Sequence, residues 1–194
     1  MWAAGVTGPR VAPGKYEVRM TVDGKTQSQT FMIKPDPRLK TTPEEYTKQL
    51  SLALQVRDKL SETNGGVVKI REVKKQLEEY TKRDDKKVSD TAKSLITKLT
   101  AIEEELYQTK NRASEDPLNY PIKLNNKIAY ILGMVSNAES QPTASSYMVY
   151  EELASKVNAQ IRALNTALTE DISSFNKLIR DGNVPAVIVP VVKK

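Results

Sequence analysis

The stretch that most constrains the fold of this 194-residue chain is residues 144–180, which contains neither glycine nor proline. Its apolar side chains recur at intervals of three, four and four residues, a pattern that follows one face of an α-helix. These side chains are Tyr150, Leu153, Val157, Ile161, Leu164, Leu168, Ile172, Phe175 and Ile179. At about 1.5 Å per residue the helix would be about 55 Å long, and so long a stripe requires other helices to cover it.

Four shorter helical segments are predicted upstream of this stretch. The capping box Thr42-Pro43-Glu44-Glu45 sets the start of the first at about residue 43, and Asn64-Gly65-Gly66 predicts its end. A second helix would then carry Ile70, Val73, Leu77 and Tyr80, and a third would span about 88–106, giving three antiparallel helices. A loop at 114–121, whose two prolines exclude helix, precedes a fourth helix that starts at about Pro121.

In residues 14–34, apolar and polar side chains alternate up to Asp23-Gly24, the sequence signal of a β-hairpin with a two-residue turn. This turn pairs Val22 with Lys25 and Tyr16 with Phe31. One face then carries Tyr16, Val18, Met20, Val22, Phe31 and Ile33, which we call the apolar hairpin face. Because a lone hairpin is marginal in water, we expect this face to cover another surface.

The chain ends in an apolar segment, residues 184–194, whose two prolines exclude a central strand and favour an extended tail. One interpretation places this tail against the hairpin. The candidate interaction surface therefore joins the apolar hairpin face to Val187, Ile188 and Val189. The predicted fold is mainly α, a four- to five-helix bundle with a long C-terminal helix, an N-terminal β-hairpin and an extended C-terminal tail. Its predicted parts are residues 1–38, 39–182 and 183–194.

Composition limits the chemistry, because the chain contains no histidine and no cysteine. Histidine-based nucleophile pairs, thiolates, disulfides and ordinary zinc sites are thereby excluded. The paired carboxylates at 103–105, 151–152 and 170–171 are interpreted as solvated helix faces, and Lys and Arg neighbours oppose a calcium site at Asp84, Asp85 and Asp90. We therefore expect no catalytic residue, metal or cofactor in this chain.

Charge and hydropathy bear on the partners. Lys and Arg number 30 against 24 Asp and Glu, but the two signs are interspersed, as in the mixed segment 82–87, so nucleic acid is not the expected partner. No apolar stretch approaches the length of a membrane span.

Several segments resemble the C-terminal region of bacterial secreted proteins with sialidase-like or sortilin-like repeats, which are labelled glycosyl hydrolases. The resemblance lies in residues 8–18, 21–26 and 36–38, in 116–125 and in 184–186. It implies that the hairpin closes an immunoglobulin-like domain that follows a β-propeller. The propeller box Ser-x-Asp-x-Gly-x-Thr-Trp does not occur in this sequence, so any hydrolytic residues would lie outside it. The resemblance also implies a C-terminal part of an exported protein, in the periplasm or outside the cell.

The leading functional hypothesis is a non-catalytic structural or interaction module of such a propeller-containing protein. Its expected partners are the upstream domains of the parent, another protein chain or a second copy. The first alternative is a part of a glycan-acting hydrolase whose active site lies elsewhere, and a weaker one is a basic bundle that binds nucleic acid.

Overall fold

In a computed structural model that describes residues 8–180 and 186–190, the chain is mainly α-helical, as predicted. The N-terminal hairpin consists of β1 (Gly14–Val22) and β2 (Lys25–Ile33). The helices that follow are α1 (Pro43–Tyr80), α2 (Lys86–Leu106), α3 (Leu124–Ser136), α4 (Ala144–Thr166) and α5 (Ile172–Arg180). None of these helices has the length and apolar character needed to cross a bilayer.

The first helix begins as predicted but does not end where the sequence indicated. At its start the Thr42 hydroxyl accepts a hydrogen bond from the backbone N–H of Glu45, and the Glu45 carboxylate accepts one from the N–H of Thr42. The predicted stop at Gly65-Gly66 is wrong, because α1 passes through both glycines and replaces two predicted helices. A Cβ atom at Gly66 would lie 2.9 Å from Cδ1 of Ile161 on α4. Gly66 thus permits close packing of two helices instead of ending one.

The long C-terminal helix is confirmed, with one irregularity. A π-helical turn, Ala167–Asp171, joins α4 to α5, so the chain remains helical from residue 144 to residue 180. Every residue of the predicted apolar stripe is buried or half-buried. The sequence therefore predicted the covered face, while the extra residue that a π turn accommodates left no separate signal.

The core is built around α1, which packs against α2, α3 and α4, and α5 completes it on the α2 side. The largest fully buried side chains are Phe175, Leu52, Ile70, Leu77, Leu99, Leu106, Ile128, Leu164, Ile172, Ile179, Val56 and Val73. Where α1 ends, the ring of Tyr80 meets that of Phe175 edge-on, with 5.2 Å between centroids. These aliphatic and aromatic contacts close the bundle independently of the hairpin.

One buried carboxylate links α1 to α2. The side chain of Glu103 is 5% exposed and accepts hydrogen bonds from Nε of Arg71 at 2.7 Å and from Nζ of Lys74 at 3.0 Å. Burial acts to raise the pKa of Glu103, but the hydrogen bonds from the two cations outweigh it and hold the pKa below its ordinary value. Glu103 is therefore a structural ion-pair partner and not the solvated residue that its sequence neighbourhood suggested.

The connection between α2 and α3 also departs from prediction. A short 3₁₀ turn, Asp116–Leu118, forms within the segment in which two prolines were expected to exclude helix. Pro117 is accommodated because it stands in the first turn, where no backbone N–H is needed. The next helix starts at Leu124, a little after the predicted start at Pro121.

The described part of the tail, residues 186–190, lies on the helices, and its predicted position against the hairpin is wrong. Asn176 on α5 accepts a hydrogen bond from Val187 N–H at 2.8 Å and donates one to the Val187 carbonyl at 3.0 Å. Gln76 on α1 accepts from Ile188 N–H at 2.7 Å and donates to the Ile188 carbonyl at 2.8 Å. The side-chain amides of Gln76 and Asn176 thus bond to the tail backbone as a neighbouring β-strand would. The predicted helix stop at Asp181-Gly182 and the rest of the tail lie outside the described residues.

Candidate interaction surface

The hairpin has the predicted turn and register. Asp23 and Gly24 have φ angles of 48° and 75°, the left-handed conformation that a two-residue type I′ turn requires. Tyr16 pairs with Phe31 and Val22 with Lys25. Beside the turn, the hydroxyls of Thr21 and Thr26 are 2.9 Å apart across the strands. The apolar hairpin face consequently lies on one side of the hairpin. It also carries Lys25, Gln27 and Gln29 of β2, whereas Met32 lies on the opposite side.

The apolar hairpin face remains open along most of its length. Val18, Met20 and Val22 are 54%, 58% and 55% exposed, and Phe31 is 48% exposed. Towards the base of the hairpin Tyr16 is half-buried; its ring centroid lies 6.0 Å from that of Phe31, and its hydroxyl donates to the Ala12 carbonyl at 2.6 Å. The described residues therefore leave most of this face uncovered, and the expectation that it covers another surface stays a prediction.

A small set of contacts around Glu139 links the segments that flank the hairpin to the bundle. Tyr46, at the start of α1, donates a hydrogen bond to the Glu139 carboxylate at 2.9 Å, and Arg10 lies 3.7 Å from the same carboxylate. Thr41 donates to the Glu139 carbonyl at 2.6 Å. A cavity of about 300 Å³ separates the hairpin base from α1 and is lined in part by Ile33. Sequence reasoning missed this junction, because nothing in the pattern around Glu139 indicates a partner so far away along the chain.

Beyond this base the hairpin extends away from the bundle. Among the described residues, no Cα atom of either strand lies within 8 Å of a Cα atom in a helix. Within the part of the chain that the structure describes, the sheet consists of these two strands, so both of its outer edges are unpaired. In a hairpin with a two-residue turn, the residues that flank the turn form a hydrogen-bonded pair, and such pairs alternate along the strands.

This alternation identifies the backbone groups that remain free. Since Val22 and Lys25 flank the turn, the N–H and C=O groups that point outward belong to the intervening residues. On β1 these residues are Lys15, Glu17, Arg19 and Thr21, which we call the β1 edge. On β2 they are Thr26, Ser28, Thr30 and Met32. Each strand thus offers backbone donors and acceptors to a further strand.

The predicted tail residues do not join this surface. Val187 is buried against the bundle, whereas Ile188 is 71% exposed and Val189 is also exposed. Ile188 bonds to Gln76 on α1. At a helical rise of about 1.5 Å per residue, Gln76 lies about 45 Å along α1 from Tyr46, near which the hairpin begins. The predicted surface therefore divides into the apolar hairpin face and a separate exposed pair, Ile188 and Val189.

The carboxylates considered for catalysis have other environments. Among them, the hydrogen bond from Lys156 lowers the pKa of Glu152. Two carboxylates outside that set behave alike, since Arg38 lowers the pKa of Asp36 and backbone N–H groups of Arg112 and Ala113 lower that of Asp116. A glycosidase general acid requires the opposite, a raised pKa. Asp85, one of the residues weighed for calcium, caps α2 by accepting from the N–H groups of Lys87 and Val88. In the described part of the chain no three acidic side chains gather as metal ligands would.

No protein-family model, curated protein or solved structure matches this chain.

Proposed function

We propose that this chain is a non-catalytic interaction module of an exported, propeller-containing protein, and that its hairpin adds to a β-sheet of a partner. The observation that carries the proposal is a hairpin that extends from the bundle with a half-exposed apolar face and two unpaired edges. Membership of an exported propeller protein rests on the resemblance of the sequence segments alone.

The contrast between the two parts of the molecule supports this role. The bundle has a closed core of its own, whereas the hairpin leaves Val18, Met20, Val22 and Phe31 about half exposed. A two-stranded hairpin is marginal in water and gains stability when a third strand or a packed face is added. Arg10, which precedes β1, lies 3.7 Å from the Glu139 carboxylate, and Thr41, between β2 and α1, donates to the Glu139 carbonyl. The segments on both sides of the hairpin are thus tied to the bundle, which presents the hairpin to a partner.

The geometry of the hairpin also defines the kind of partner. An added strand would bind through the backbone groups of an edge, and alternate side chains would pack beside the apolar hairpin face. An immunoglobulin-like sheet of the parent protein offers this combination. A partner that used only charged contacts would leave the apolar face uncovered.

The test is site-specific photo-crosslinking in the source cell. A photoreactive phenylalanine analogue replaces Met20 on the hairpin, and the matched control replaces Met148, an exposed methionine of α4 that is 65% exposed. We expect a defined crosslink from position 20 to a β-sheet domain, of the parent or of another protein, and none to the same domain from position 148.

The crosslinked domain is then purified and its affinity for the chain is measured. We expect Val18→Lys to weaken binding at least tenfold, because it places a charge on the apolar face. The matched control is Val68→Lys, at a valine of α1 that is 49% exposed. Equal binding by the two lysine variants would contradict the proposal, as would turnover of glycans by this chain alone.

A further inference from the structure

We propose that the β1 edge pairs antiparallel with β1 of a second copy of this chain, about a two-fold axis at Val18. The inference rests on the proposed function, because it names a partner for the same hairpin. The result would be a four-stranded sheet in which the two β2 strands are outermost.

The positions of the free backbone groups permit this pairing. An antiparallel pair of strands requires outward-facing residues to stand opposite outward-facing residues. Symmetry about Val18 places Glu17 opposite Arg19 of the second copy, and Lys15 opposite Thr21 of the second copy. These residues all belong to the β1 edge, so each such pair exchanges N–H···O=C bonds in both directions.

Charge selects this register over its neighbours. Within one chain Arg19 already lies 3.4 Å from Glu17. In the proposed pairing the two copies add Glu17 to Arg19 contacts across the axis, so that the four charges alternate in sign. A shift that centres the axis on Glu17 sets Glu17 against Glu17 and Lys15 against Arg19, and one that centres it on Arg19 sets Arg19 against Arg19.

Strand length points to the same register. Val18 is the midpoint of Gly14–Val22, so an axis there pairs β1 over its whole length. An axis at Tyr16 would also bring opposite charges together, Lys15 and Glu17, but would overlap only residues 14–18. The register that matches the charges over the full strand is therefore the one centred on Val18.

The register centred on Val18 also brings apolar side chains of the two copies together. Val18 meets Val18 of the second copy at the axis, where a pair without backbone bonds brings side chains close together. Tyr16 stands opposite Met20 of the second copy, a sulfur–aromatic combination that is favourable in proteins. The β2 edge carries Thr26, Ser28, Thr30 and Met32, which contain no charge to select a register, so we assign the pairing to β1.

The test is a charge exchange followed by sedimentation equilibrium on the full chain. Glu17→Arg alone and Arg19→Glu alone each place like charges opposite each other, and we expect each to weaken self-association about tenfold or more. An equimolar mixture of the two variants should form a heterodimer, and the combined variant should recover the wild-type dissociation constant within about threefold. Arg57→Glu, a reversal on the surface of α1, is the matched control and should dimerise like the wild type.

Specific outcomes would overturn the inference. A wild-type chain that stays monomeric at about 1 mM would do so, because its dimer dissociation constant would then lie above the millimolar range. Self-association unaffected by Arg19→Glu would reject the register centred on Val18. Because the combined variant restores the charges, its failure to dimerise while cross-strand nuclear Overhauser effects between β1 and β2 persist would also reject it.

The same measurements separate this inference from the proposed function. Suppose that the chain is monomeric, and that Val18→Lys weakens binding of the crosslinked domain at least tenfold. The dimer would then be rejected and the interaction module retained. Suppose instead that the chain dimerises with the predicted charge dependence, and that Val18→Lys leaves the affinity of the crosslinked domain unchanged. The proposed function would then be rejected for that domain and self-association retained.

Discussion

The two adjacent glycines inside α1 offer a direct test of how this helix is built. Gly65 has no atom within 4 Å of the position that a Cβ would occupy, and its helical conformation suits any residue. Replacing glycine by alanine inside a helix removes backbone freedom from the unfolded chain and gains about 1 kcal/mol. We therefore expect Gly65→Ala to stabilise the protein by about 0.5–1 kcal/mol.

The neighbouring substitution should behave differently. A methyl group at Gly66 would lie 2.9 Å from Cδ1 of Ile161 and 3.4 Å from Cδ2 of Leu164, so the Ile161 side chain must move. Forcing an extra carbon into a packed interface costs about 1–3 kcal/mol, although the flexible end of Ile161 favours the lower part of that range. Gly66→Ala should therefore be less stable than Gly65→Ala by about 1–2 kcal/mol.

The assay is urea and thermal unfolding followed by the helical circular dichroism signal. For a protein of this length 1 kcal/mol corresponds to a shift of about 2–4 °C in the unfolding midpoint, so the two variants should be separated clearly. A loss of more than about 1 kcal/mol in Gly65→Ala would refute the continuous helix, since it would indicate a glycine that ends a helix in a left-handed conformation. Equal stability of the variants would refute close packing at Gly66.

Three further predictions concern the hairpin, the buried carboxylate and the tail. Gly24→Val should abolish the cross-strand nuclear Overhauser effects of the hairpin and leave bundle unfolding unchanged, because φ at residue 24 is 75°. Glu103→Gln should cost about 1–3 kcal/mol at pH 7. Its folded-state pKa is lowered, so the contribution is complete above the unfolded value of about 4.3 and is lost as pH falls through the folded value. Urea titrations should therefore show a smaller difference in stability between the wild type and the variant at pH 3 than at pH 7. Gln76→Ala combined with Asn176→Ala should accelerate amide hydrogen exchange at Val187 and Ile188 by at least tenfold, without exposing the core amides.

The features that the sequence predicted correctly are those determined by neighbouring residues. The type I′ turn follows from Asp23-Gly24, and the start of α1 follows from the capping box at Thr42. The stripe of residues 144–180 needs only the helical period. Gly65-Gly66 misled the prediction because a glycine pair ends a helix in isolation, whereas here the approach of Ile161 from α4 determines its role. Because that contact joins residues far apart along the chain, the sequence around Gly66 does not indicate it.

The candidate surface shows the same division. Alternation placed the six residues of the apolar hairpin face correctly on one side of the hairpin, but it did not indicate that the described chain leaves this face open. The predicted position of the tail was wrong for a different reason. Its valines suggested sheet packing, while its backbone instead bonds to the amides of Gln76 and Asn176, which read in sequence as ordinary polar positions on helices. A side chain that binds backbone at long range cannot be inferred from periodicity.

The energies available at the hairpin indicate why the edge and the face must act together. Complete burial of a valine, methionine or phenylalanine side chain is worth about 1.5–3 kcal/mol, and four such side chains are about half exposed, so covering the face returns roughly 3–6 kcal/mol. Bringing two molecules together costs roughly 4–15 kcal/mol in lost freedom. The apolar face alone therefore falls short of this cost over most of its range. Backbone bonds at about 0.5–1.5 kcal/mol each must supply the remainder, and only a β-strand in register forms a row of them. A helix or a small apolar ligand on this face would lack that contribution, which is why both proposals name a strand.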